Sequence, residues 1–117
     1  IFRQFREAGY DTKEIFACGG PTKSRLWMQI HADVSGVPIA IPKVQDAPLL
    51  GSAILAAVAS GLYPDVKSAA ENMVTISRLI EPDQTNHEAY GFYVDRYIDT
   101  YEQMSALMHQ MTAHLRS

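Results

Sequence analysis

The sequence predicts an α/β fold, rich in helix, with a small sheet and one long C-terminal helix. Three observations lead there. Residues 15–18 (Ile-Phe-Ala-Cys) and 37–41 (Val-Pro-Ile-Ala-Ile) are short apolar runs of strand length. Each is followed by a helical pattern, and strand-helix-strand-helix order builds helices packed on a sheet. From residue 87 to about 115 there is no proline, and apolar residues recur every three or four positions, which reads as a single helix.

Taken in order, residues 1–8 form a helix with Phe2 and Phe5, or Ile1 and Phe5, on one side, closed by Gly9. Asp11-Thr12 is turn chemistry. Residues 14–18 form a buried strand in which Cys18 is a small packed side chain. A helix runs from Pro21 to about residue 35, with Leu26, Ile30 and Val34 four apart on one face and Gly36 at its C-terminal cap. Residues 37–41 make a short strand, and Pro38 and Pro42 assign it to an edge or to a strand end. The next helix, residues 48–61, is apolar almost all round, which marks a buried helix. Its small residues Gly51, Ser52, Ala53, Ala56 and Ala57 allow another backbone to come close. Asp65 caps a helix over 66–73, and residues 74–80 hold a short extended piece. Residues 82–86 are a loop ending in Asn86 as the cap of the long helix, which is frayed around Gly91.

Composition excludes several classes. The chain has 117 residues, enough for one core, so residues 1–117 read as a single domain. A net charge of −3 leaves no basic footprint for nucleic acid. No run approaches the roughly 18 apolar residues of a membrane span. One cysteine permits no internal disulfide framework and suits a reducing, cytoplasmic setting. The chain opens on an amphipathic pattern without a signal peptide or an initiator Met, and is expected to be a piece of a longer protein.

The junction Cys18-Gly19-Gly20-Pro21-Thr22-Lys23-Ser24 carries the chemistry. Gly19 and Gly20 lack a Cβ, so a ligand can approach the backbone. Pro21 suits a first helical position, and a helix N-terminus offers N–H donors to a phosphate. Read from the residues alone, paired glycines also serve an ordinary tight turn. The Lys-Ser pair is no P-loop, because Thr22 stands where that loop needs glycine.

The stretch from Gly19 to Asp33 (Gly-Gly-Pro-Thr-Lys-Ser-Arg-Leu-Trp-Met-Gln-Ile-His-Ala-Asp), then Gly36-Val37-Pro38-Ile39, then Leu50-Gly51-Ser52-Ala53, resembles the C-terminal part of the FGGY carbohydrate kinases. The order and spacing of the three blocks match. The resemblance covers residues 1 to roughly 80 and is looser beyond. It implies the C-terminal part of an actin/hexokinase-like (ribonuclease H-like) ATPase domain, and transfer of the ATP γ-phosphoryl to a sugar hydroxyl with Mg2+. It implies that Gly19, Gly20 and Pro21 lie along the nucleotide's phosphates and that Ser24, four residues after the second glycine, contacts base or ribose. The catalytic base, the first phosphate loop and most of the magnesium site are then expected upstream, so no catalytic or metal residue is assigned here and the fragment alone is expected to be inactive. The residues from Leu50 to Tyr63 and the tyrosine-rich tail are more similar to the ribulokinase branch, which implies a pentulose such as ribulose.

Other residues have plainer readings. Asp33 lies three helical turns beyond the glycines, roughly 19 Å, and reads as a structural hydrogen bond or cap. Lys23 and Arg25 are solvated charges, and Trp27 and Met28 are packing residues. His31, His87, His109 and His114 lack zinc-ligand spacing. The stripe Tyr90, Val94, Tyr97, Tyr101, Met104, Met108, Met111 and Leu115 steps by four and three. It suits a helix lying across its own domain, or a homodimer seam. An interaction module using this Tyr/Met helix and an actin-like ATPase are the competing function classes.

Overall fold

The computed structural model describes residues 2–115. Five helices and three strands follow the expected order: α1 Phe2–Glu7, β1 Ile15–Phe16, a 3-10 turn over Gly20–Lys23, α2 Arg25–Ser35, β2 Ile39–Pro42, α3 Ala47–Ala59, α4 Val66–Met73, β3 Ile76–Ile80 and α5 Gln84–His114. Ile1, named for the first helix, lies outside the described residues. The strands form one mixed sheet in the order β1-β2-β3. β1 is parallel to β2, with Ile15 opposite Ile39, and β2 is antiparallel to β3, with Ile41 opposite Arg78.

The core sits where α2 lies against the sheet. Met28 and Ala32 face Ile39, Ile41 and Ile80, with Ile15 and Ala17 packed alongside. Met28 and Ala32 are four apart, so they share one helix face. The expected stripe points elsewhere: Leu26 and Val34 are exposed. Both rows have period four, and the sheet selects the one carrying Ala32, whose small side chain lets the helix approach.

The first strand is shorter and less buried than expected. Ile15 and Ala17 turn inward, while Phe16 and Cys18 point outward and are exposed. Only β2 pairs with β1, and among the described residues nothing covers its outer face. β2 is instead the buried central strand, all four of its residues being buried. The prolines mark its ends and not an edge: Pro38 precedes it, and Pro42 sits at an irregularity in the β2–β3 register, where a missing N–H breaks no regular ladder bond.

The helix expected from Pro21 is split. The 3-10 turn ends at Ser24, which is extended (φ −92°, ψ 107°) and caps α2. The α2 end agrees with expectation, Gly36 being left-handed at φ 68°. Asp65 caps α4, its carboxylate accepting from Ser68 N at 2.7 Å. The α5 cap is Asp83 in place of Asn86, accepting from the Asn86 N–H at 2.9 Å. α5 continues unbroken through Gly91.

Two helices are less covered than their patterns suggest. In α3 only Ile54 and Ala57 are buried, against α4, while Ala53 and Ala56 are exposed. In α5 no described residue is buried, and Tyr97, Tyr101, Met104, Met108, Met111 and Leu115 are all exposed. Tyr90 and Val94 are half-buried where α5 meets α2, and from Tyr97 onward the stripe is uncovered by the described residues. At 1.5 Å per residue the 31-residue α5 is about 46 Å long. It projects far enough to raise the radius of gyration to 19.5 Å, against about 13 Å for a compact chain of this length.

Candidate functional site

The loop between β1 and α2 is built from its hydrogen bonds. Gly19 has φ 83° and ψ −167°, a conformation essentially restricted to glycine. Its N–H donates to Gln45 O at 3.1 Å, and its carbonyl accepts from Thr22 N at 3.2 Å and from Thr22 Oγ1 at 2.7 Å. Thr22 is fully buried. Its carbonyl accepts from the Arg78 guanidinium at 2.7 Å, so a residue of β3 clasps a turn 56 positions earlier. Ser24 N donates to Pro21 O at 3.1 Å.

The two glycines differ in kind. Gly19 is required by its dihedral angles. Gly20 has no positive φ, and a Cβ built on it meets nothing within 4 Å. Neither strain nor crowding within the described residues accounts for glycine there. What it provides is an uncovered stretch of backbone beside an anchored turn.

The Ser24 hydroxyl accepts from Trp27 N at 3.2 Å. A hydroxyl that accepts one hydrogen bond still has its proton to donate, so Ser24 can cap α2 and donate to a ligand at once. The α2 N-terminus starts at Arg25, one turn beyond the glycines, so its N–H groups lie beside Ser24 and not beside Gly19 and Gly20. Gly19, Gly20, Pro21 and Ser24 thus belong to one anchored loop. Lys23 and Arg25 are exposed. Arg25 lines a shallow groove with Gln29, Arg78 and Glu81. Trp27 is half exposed and meets His31 edge-on, ring centroids 4.9 Å apart, whereas Met28 is core.

Asp33 belongs to a different cluster. It is 2% exposed. Oδ1 accepts from Gln29 Nε2 and from the Asp83 N–H, both at 2.8 Å, and Oδ2 accepts from Asn86 Nδ2 at 3.0 Å. Its carbonyl accepts from His87 Nδ1 at 2.8 Å; a carbonyl has no proton, so Nδ1 is the donor. Burial pushes the carboxyl pKa up. The bonds from Asp83, Gln29 and Asn86, with the field of His87, outweigh that and leave it below the ordinary value. The structural reading of Asp33 holds: it ties the end of α2 to the start of α5.

Among the described residues no three His, Cys, Asp or Glu side chains converge on a metal site. No helix among the described residues is long and apolar enough to cross a membrane. Local patterns missed Gln45, Thr22 and Arg78 as the loop's anchors, because those bonds join distant positions.

The profile of the FGGY family of carbohydrate kinases, C-terminal domain, matches residues 1–60. The chain belongs to the FGGY family. This FGGY chain is 34% identical over 110 residues to a xylulose kinase of Staphylococcus epidermidis, covering 94% of this chain and 21% of the relative. It is 38% identical over 107 residues to an autoinducer-2 kinase of Escherichia coli, covering 91% and 20%. Its fold superposes on a ligand-bound xylulose kinase from Lactobacillus acidophilus with a TM-score of 0.74 and 26% identity, over 80% of this chain and 19% of that one. The chain spans about a fifth of the length of the curated relatives it matches.

Proposed function

We propose that this FGGY chain is the C-terminal part of a longer carbohydrate kinase and forms one wall of its ATP site. In the reaction a sugar hydroxyl oxygen forms a bond to the γ-phosphorus, the bond from that phosphorus to the β–γ bridging oxygen breaks, and the hydroxyl proton passes to a base outside residues 1–117. The observation that carries this reading is Gly20, an uncrowded glycine on a turn held by Gln45, Thr22 and Arg78. Gly19, Gly20 and Pro21 run along the phosphates, and the Ser24 hydroxyl donates to base or ribose. This wall orients ATP; Mg2+ would neutralise phosphate charge there, and its ligands would come from outside residues 1–117. The acceptor is a pentulose. The ribulokinase likeness of residues 50–63 favours ribulose, and the name of the Staphylococcus relative puts xylulose beside it.

The test offers the whole kinase ATP with D-ribulose, D-xylulose, D-gluconate or glycerol and follows ADP release. A pentulose is expected to give the highest kcat/KM. Residues 1–117 alone are expected to give none above buffer. Sugar-independent ATP hydrolysis by the whole protein, or turnover by the isolated chain, would sink the reading.

The uncovered α5 stripe favours one addition, a homodimer seam in the whole protein. Sedimentation velocity is expected to find a dimer that Tyr97→Glu with Met104→Glu disrupts; a monomeric wild type removes the seam.

A further inference from the structure

We infer that Arg78 is the positioning residue of the nucleotide loop, an assignment that rests on the ATP-wall reading. β1 and β3 are separated in the sheet by β2, and the strand partner of Arg78 is Ile41. From β3 its guanidinium donates to Thr22 O at 2.7 Å. Thr22 is fully buried, and its hydroxyl and N–H both return to Gly19 O. A pull on the Thr22 carbonyl is therefore passed to Gly19, and through it to Gly20.

The other supports of the turn are local or bind at one end. Thr22 to Gly19 and Ser24 to Pro21 each close over three positions within the turn, and Gly19 to Gln45 holds only its entry. Arg78 alone, among the described hydrogen bonds, holds the middle of the turn to the sheet. It does so with a charge-assisted bond, stronger than a neutral one. β3 is itself fixed: Ser77 Oγ donates to Ile41 O at 2.9 Å, and Ile80 enters the core. Arg78 thus refers the height of the Gly20 backbone above the sheet to the rigid part of the fold. It lines the groove that Arg25, Gln29 and Glu81 also line.

Arg78→Met, Arg78→Lys and Gly20→Val are made in the whole kinase. The ATP dissociation constant is read by titration calorimetry, the KM of the best pentulose by ADP release, and the thermal midpoint by circular dichroism. Arg78→Met is expected to weaken ATP about tenfold, the scale of one charge-assisted hydrogen bond, with pentulose KM within about twofold. Arg78→Lys, which keeps one charged donor, is expected to recover most of the loss. A merely structural residue would shift the ATP and pentulose constants together with the midpoint, and lysine would not restore the split; that result overturns the assignment. Unchanged ATP affinity in Arg78→Met overturns it too, and leaves the ATP wall standing if Gly20→Val weakens ATP. If Gly20→Val also leaves ATP untouched, the wall falls and the positioning role with it.

Discussion

Gly20→Val in the whole kinase is expected to raise the KM for ATP by roughly 10- to 100-fold while the protein stays as stable as wild type. Most glycine-to-valine changes confound lost function with lost fold. Here they separate. Gly20 has no positive φ, and a Cβ meets nothing within 4 Å, so within the described residues neither backbone strain nor Cβ overlap opposes a side chain there. The cost appears only when something must approach that backbone. Displacing phosphate oxygens from it forfeits charge-assisted hydrogen bonds of about 1.5–3 kcal/mol, which is roughly one to two powers of ten in affinity. Gly19→Ala is the contrasting control: φ 83° and ψ −167° make any Cβ strained by about 1–3 kcal/mol, so stability falls whatever binds. ATP and pentulose saturation curves with a melting curve for each variant decide it. A wild-type KM for ATP in Gly20→Val means that the glycine serves only the turn. Ser24→Ala is a poorer probe, because it removes the α2 cap, itself worth about 1 kcal/mol, along with any ligand contact.

What could be read from the sequence was local. Gly36 and Asp65 end and begin helices through their own backbone and side chain, so their roles were legible without neighbours. The loop glycines were legible as candidates for the same reason. Which helical row faces the sheet was not: Leu26-Ile30-Val34 and Met28-Ala32 have the same spacing, and only the approach distance to Ile39 and Ile41 chooses between them. Nor was the place of β2, because prolines bracketing a strand look alike at an edge and at the ends of a central strand. The apolar content of α3 and the four-and-three stripe of α5 say that a face needs a partner and not where that partner lies. Arg78 and Thr22 carried no local signal, being joined only once β3 is in place. Asn86 has cap chemistry, but so does Asp83, and Asp33 decides between them by holding both the Asp83 N–H and the Asn86 amide.

Asp33→Ala is expected to cost the whole protein about 1–3 kcal/mol, because it removes the buried acceptor shared by Gln29, Asp83 and Asn86, while the exposure of Asp83 and Asn86 lets water take up part of the loss. Urea unfolding measures it. The same carboxylate gives the cost a pH signature. Its folded pKa lies below the ordinary carboxylate value, so the ionised form is the one the fold prefers. Its contribution is fully present above the unfolded pKa of about 3.9 and disappears as pH falls through the lower folded value. The stability gap between wild type and Asp33→Asn, which mimics the neutral acid, is therefore expected to be flat from about pH 5 to 8 and to narrow below about pH 4. A gap of the same size at pH 3 and pH 7 would show that the charge is not what the cluster uses. Gly36→Ala reaches this cluster from its other side: at φ 68° its Cβ would stand 2.7 Å from the His87 ring. The ring must then shift from the Asp33 carbonyl, which loses its donor, and α5 loses one of its ties to the domain. If Gly36→Ala unfolds at the wild-type urea midpoint, the His87 contact does not hold α5 in place, and the anchoring of that helix rests on its other ties, the Asp33 carboxylate with Asp83 and Asn86, and Arg3 with Asp95.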